Sequence, residues 1–117
     1  MIFEKFTIKA QETISSANQM AADYNHQYIE PEHILSALLN DSDNVVLSIL
    51  KNYNLSVTKV NNRITRAIET YPRVSGTGQV GLSQRSKQII DVAYSESKTF
   101  NDEFVSSKYL MLALSME

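Results

Sequence analysis

The feature that most constrains this chain is that it repeats itself: shifted by 76 residues, positions 6–41 lie over 82–117 without a gap. Identity between the copies is low, confined to Ile14/Ile90, Ala17/Ala93, Asn25/Asn101, Ala37/Ala113 and Leu38/Leu114. Class is kept far more widely. Phe6/Leu82, Tyr24/Phe100, Tyr28/Phe104, Ile29/Val105, Ile34/Leu110 and Leu35/Met111 pair apolar or aromatic with like. Thr7/Ser83 pair one hydroxyl cap with another, and Lys9/Arg85 pair cations. A sequence that preserves caps and apolar positions at one offset is expected to build one motif twice.

Within the first copy, Phe6, Ala10, Ile14, Ala17, Ala21 and Tyr24 recur every three or four residues, the stripe of an α-helix. Thr7 is its expected N-cap. Asn25-His26-Gln27 interrupts the period, and Pro31 suits the first position of a short second helix carrying Ile34, Leu35, Leu38 and Leu39. That helix is expected to end within 40–44. Asp43 is the expected cap of a third helix with Val45, Val46, Ile49 and Leu50. Ser56 is expected to cap a fourth, with Val57, Val60, Ile64, Ala67, Ile68 and Tyr71, stopped by Pro72. Residues 72–81 hold all three glycines and read as a surface loop. Ser83 then caps a helix with Ile89, Ile90, Ala93, Tyr94 and Phe100, and Ser106 one with Tyr109, Leu110, Ala113 and Leu114.

The expected fold is therefore all-α: a pseudo-two-fold tandem repeat of helical motifs, with a first repeat at 1–71, a loop at 72–81 and a second repeat at 82–117. The first copy runs on through two further helices, whereas the second stops at Glu117, level with Asp41, and reads as truncated. Leu110 and Leu114 would then lack the helix pair that covers Ile34 and Leu38. An exposed apolar patch, a frayed last helix or a dimer contact is expected there.

Composition narrows the function. Eleven basic residues against thirteen acidic ones give a net charge of −2, which offers no general attraction for a phosphate backbone. Arg63, Arg66, Arg73, Arg85 and Lys87 are expected to be a solvated face. The absence of cysteine removes disulfides and thiolate metal sites, and the first residues lack the apolar core of an export signal, so a soluble cytoplasmic protein is expected. Gly76-Thr77-Gly78-Gln79-Val80-Gly81 spells a dinucleotide fingerprint, but a helix and Pro72 precede it where a strand is needed. No phosphate-binding lysine loop occurs. His26 and His33, with Asp23, Glu30 and Glu32 nearby, lack a metal-ligand spacing and read as hydrogen-bonded surface or boundary residues. With no activated serine and no paired carboxylates, no catalysis is expected in this chain.

Four stretches give these residues a family likeness: Phe6-Thr7-Ile8-Lys9-Ala10-Gln11-Glu12, His26 through Leu35, Pro72-Arg73-Val74-Ser75-Gly76, and Asp102 through Ser107. Together they resemble the N-terminal domain of the Clp chaperones over essentially the whole chain, closer to the ClpB branch than to the protease-coupled ClpA and ClpC branches. The resemblance implies a double Clp-N motif of about eight helices, joined to ATP-hydrolysing rings that form a hexamer. It implies recruitment of unfolded or aggregated protein clients through exposed apolar segments, with ATP and magnesium bound only outside this domain. The alternative it implies is an adaptor-docking domain of a protease-coupled unfoldase. The chain by itself is expected to be monomeric.

Of the family's contact positions, Thr7 and Asp102 carry over. Glu32 is kept in the first copy, but its counterpart in the second, acidic in the family, is Lys108 here. That exchange of carboxylate for ammonium weakens a basic or phosphoarginine ligand as the expected partner. The bland reading of Thr7 is a helix cap, and of Asp102 a solvated turn residue.

Overall fold

The computed structural model describes residues 2–40, 44–75 and 79–117. A 3-10 turn (Ile2–Lys5) leads into α1 (Ile8–Asp23), a two-residue strand β1 (Tyr28–Ile29), α2 (Pro31–Asn40), α3 (Asn44–Asn52) and α4 (Val57–Glu69). After the loop come β2 (Gly81–Leu82), α5 (Gln84–Thr99) and α6 (Ser107–Ser115).

The caps form largely as the hydroxyl pattern predicts. Thr7 Oγ1 accepts from Ala10 N–H at 3.1 Å, Ser56 Oγ from Lys59 N–H at 3.3 Å and Ser83 Oγ from Ser86 N–H at 3.1 Å. Each satisfies a first-turn donor that the helix leaves unpaired. Ser106 does not: it holds the N-cap position of α6, with extended φ and ψ, yet its side chain makes no capping bond. The expected Asp43 cap and the Gly76-to-Gly78 part of the fingerprint lie outside the described residues, as do the side chains of Val45 and Val46.

The identity Asn25/Asn101 has a backbone reason. Both residues adopt left-handed conformations, with φ of 59° and 61°. Asn25 N–H bonds Ala22 O at 3.0 Å and His26 N–H bonds Ala21 O at 2.8 Å. The second copy matches with Asn101 to Lys98 at 3.0 Å and Asp102 to Ser97 at 2.8 Å. This double bond closes the carbonyls of the last turn, and asparagine tolerates its positive φ better than other non-glycine residues. Asn54, at φ 56°, closes α3 in the same way through Leu55 N–H to Leu50 O at 2.9 Å.

The strand pairing was not legible in the helical periodicity. β1 runs parallel to β2 with Ile29 opposite Leu82, while a lone parallel bridge joins Phe6 to Val105. Under the 76-residue shift Phe6 maps to Leu82 and Ile29 to Val105, so each pairing is the image of the other. The entry to each copy's first helix is thus stitched to the exit of the other copy's. Thr7 N–H donates to Val105 O at 2.9 Å, and Ser83 N–H to Ile29 O at 3.2 Å.

Helix packing follows the same symmetry, with α1 on α2 and α5 on α6 forming the largest interfaces and α2 touching α6 between them. Ala10, Ala17, Ala21 and Ala93 are fully buried, and their small side chains let the helices approach closely around Phe6, Ile34, Leu38, Val105, Tyr109 and Leu110. Burial of each such large side chain contributes on the order of 1.5–3 kcal/mol. Ile14 and Tyr24, expected in the stripe, are only half-buried. Phe100, paired with Tyr24 by the repeat and expected in the core, is exposed, as are Tyr28 and Phe104. Leu110 is buried because α6 packs against α5, α2, α1 and α3 together, so the expected exposed patch does not lie on it.

Candidate functional site

Two edges of the molecule carry the candidate residues, one in each half. In the first half, Pro31 starts α2 and places Glu32 in its first turn, where a carboxylate favours the helix dipole. Glu32 accepts from the Tyr71 hydroxyl at the end of α4, and from Arg85 of α5 at 3.2 Å and 3.4 Å. Arg85 also pairs with Glu117. Burial raises the Glu32 pKa, but the Tyr71 and Arg85 bonds outweigh it and hold the carboxyl below its ordinary value. Burial, with Glu32 as acceptor, pushes Tyr71 up, and the bond to Glu117 does the same for Arg85. Arg85 is exposed, as are Arg63, Arg66, Arg73 and Lys87, but it is also the cation of a four-member cluster with Glu32, Tyr71 and Glu117. Only the fold brings Glu32 and Arg85 together, across 53 positions of sequence.

Behind Glu32 lie the two histidines, buried rather than on the surface: His26 is 4% exposed and His33 0%. Glu30 N–H donates to His33 Nδ1 at 2.8 Å, so the His33 proton sits on Nε2. That N–H reaches His26 Nδ1 at 2.9 Å, which leaves the His26 proton on Nε2. The chain of bonds needs both rings neutral. Burial, together with the neighbouring His26, holds the His33 pKa down to about 4, and burial with Arg73 nearby lowers His26. Tyr24 stacks on His26 at 5.2 Å, and Tyr71 covers both rings at 5.5 Å and 5.7 Å. Among the described residues, no group of three or more histidine or acidic side chains could hold a metal.

In the second half Asp102 and Lys108 come together. The Tyr109 hydroxyl donates to Asp102 Oδ2, and Lys108 Nζ lies 3.9 Å from the same oxygen and 4.8 Å from the centre of the Tyr109 ring. The hydrogen bond to Asp102, reinforced by desolvation, pushes the Tyr109 hydroxyl up to about 12. Asp102 is thus more than a solvated turn residue. Thr7 is tied to this half through the backbone bond to Val105, with its side chain used as the α1 cap. Glu32 belongs to the other cluster.

Sequence reasoning missed the cavity beside this second edge, a groove of about 660 Å³ between α3 and α6. Ile49, Tyr53 and Leu55 form one wall and Phe100, Met111 and Leu112 the other, with Lys108 the one charged side chain on the lining among the described residues. Tyr53 is 74% exposed and Phe100 63%. Together with Leu55, Met111 and Leu112 they leave a contiguous apolar surface open to solvent rather than isolated exposed rings. Their sequence signal was ambiguous, because exposed and buried aromatics follow the same helical period.

A family model of the Clp repeat (R) N-terminal domain matches residues 5–117, and the chain belongs to that family. The chaperone protein ClpB of Bacteroides thetaiotaomicron is 36% identical over 114 residues, covering 97% of this chain and 13% of that protein. This chain therefore spans a small part of its ClpB relative. The Hsp104 N-terminal domain from Candida albicans matches with a TM-score of 0.86 at 19% identity, over 94% of this chain and 73% of that one. A ClpV N-domain in complex with a VipB peptide matches at 0.80 and 24% identity, over 96% of this chain and 68% of that one. Both likenesses establish the fold. No helix among the described residues is long and apolar enough to cross a membrane.

Proposed function

We propose that this chain is a non-catalytic client-recruiting domain of a ClpB-type disaggregase, working in the cytoplasm. It is one domain of two pseudo-equivalent halves, 1–71 and 82–117, the second shorter than the first. Its clients are exposed apolar segments of unfolded or aggregated proteins. ATP and magnesium act in other modules of the parent ring, and Thr7, Asp102, Lys108 and Glu32 border the surfaces that meet partners. The observation that carries this reading is the open apolar groove beside Asp102, Lys108 and Tyr109, on a chain whose relative is a ClpB. A surface of that kind suits weak, sequence-tolerant capture, multiplied by the copies on a ring. The peptide seated on the ClpV N-domain lends it support by analogy of fold.

An NMR titration with an unfolded, apolar-rich polypeptide tests the proposal. Fast-exchange shifts are expected at Tyr53, Phe100, Asp102, Lys108 and Leu112, weaker in Asp102→Ala, with each variant checked for folding. Absence of shifts at millimolar polypeptide would overturn client recruitment by this chain.

A further inference from the structure

The groove between α3 and α6 has a chemical bias that its apolar walls alone do not reveal. Its described lining carries one charge, the Lys108 ammonium, 57% exposed at the side chain. The contact from Lys108 Nζ to Asp102 at 3.9 Å is longer than a hydrogen bond, and Tyr109 already donates to that same oxygen. Asp102 itself does not line the groove. The Tyr109 ring, 4.8 Å from the ammonium, steadies Lys108 beside the cavity without using its N–H donors as a carboxylate would.

We propose that this groove selects apolar segments flanked by an acidic residue, whose carboxylate pairs with Lys108. The inference rests on the client-recruiting reading and specifies the client. Ile49, Tyr53, Met111 and Leu112 take the apolar side chains, while Lys108 fixes the end at which the carboxylate lies. A lysine or arginine in that place meets a like charge. The first half offers no equivalent: Glu32, the counterpart of Lys108, is already held by Tyr71 and Arg85. Because Lys108 is exposed and the Asp102 carboxylate, 3.9 Å away, already offsets part of its charge, the bias is modest and falls with salt.

The test uses three peptides with one apolar core and a Glu, Gln or Lys flank, titrated into the whole chain at low ionic strength with NMR detection. The Glu-flanked peptide is expected to bind about three- to fivefold more tightly than the Lys-flanked one, with Gln between. Lys108→Glu is expected to reverse the order. Tyr53→Ala, at an exposed position, is expected to weaken all three peptides alike. Groove shifts with equal affinities, or an order unchanged by Lys108→Glu, would overturn the acidic preference and leave client recruitment standing. No binding of any peptide would remove both. Concentration-dependent dimerisation that protects the Tyr53 and Leu112 resonances would assign the groove to a second copy instead, against the proposal.

Discussion

His26 and His33 in the first half occupy the positions that Asp102 and Tyr109 occupy in the second, and in both halves the two side chains hydrogen-bond to each other. The frame is one motif used twice, but the chemistry differs. The first half seals its pair beneath Tyr71 and ties the neighbouring Glu32 to Tyr71 and Arg85. The second buries Tyr109 but leaves its partner Asp102 half-exposed beside an open groove, with Lys108 where Glu32 would be. A repeat therefore conserves where a polar link must cross from the helix exit to the next helix, and leaves free whether that link is closed for stability or opened for contact.

The largest expected break in this comparison is by acid. Both histidines have folded pKa values below the ordinary 6.5, so the unfolded chain takes up protons first as pH falls. Their contribution is complete above about pH 6.5 and is lost as pH falls toward 4, by at most about 3 kcal/mol from His33. Urea midpoints measured across that range are expected to drop, and His26→Asp with His33→Tyr, which copies the second half, is expected to flatten the drop. Midpoints as steep in that double variant would trace the loss to other groups.

Next in size are the helix exits. Asn25→Ala and Asn101→Ala each force a Cβ-restricted residue into positive φ and are expected to cost about 1–2 kcal/mol, equally in the two halves, whereas glycine is tolerated. Unequal losses in denaturant titrations would show that the two exits are equivalent in geometry but not in energy. Smaller again are the caps. Thr7→Ala and Ser83→Ala are expected to cost about 1 kcal/mol each, and Ser106→Ala less than about 0.5 kcal/mol because its hydroxyl makes no capping bond.

Much of this architecture was legible before any coordinates. The apolar period located the helices, hydroxyls at Thr7, Ser56 and Ser83 located three starts, and the break at Asn25-His26-Gln27 marked one end, while the matching role of Asn101 emerged only from its backbone conformation. Ser106 read the same way and proved different, since residue type cannot say whether a hydroxyl turns toward its own helix. Phe100 and Tyr109 each fit the apolar stripe of their own helix, yet one is exposed and the other buried, because the boundary between core and surface depends on which helix packs alongside. Of the candidate site, Asp102 and Lys108 lie six positions apart, and their meeting across the turn into α6 is a local event. Groove walls drawn from α3 and α6 are not.

What the sequence alone determined is the motif and its duplication, since caps, chain reversals and apolar period act within a few residues and are written there. Only the tertiary structure decided the parallel stitching of Phe6 to Val105 and Ile29 to Leu82, the capture of Glu32 by Arg85, and the groove left open beside Lys108. Each of these joins residues far apart in the chain, where contact is set by how whole helices pack rather than by any local preference.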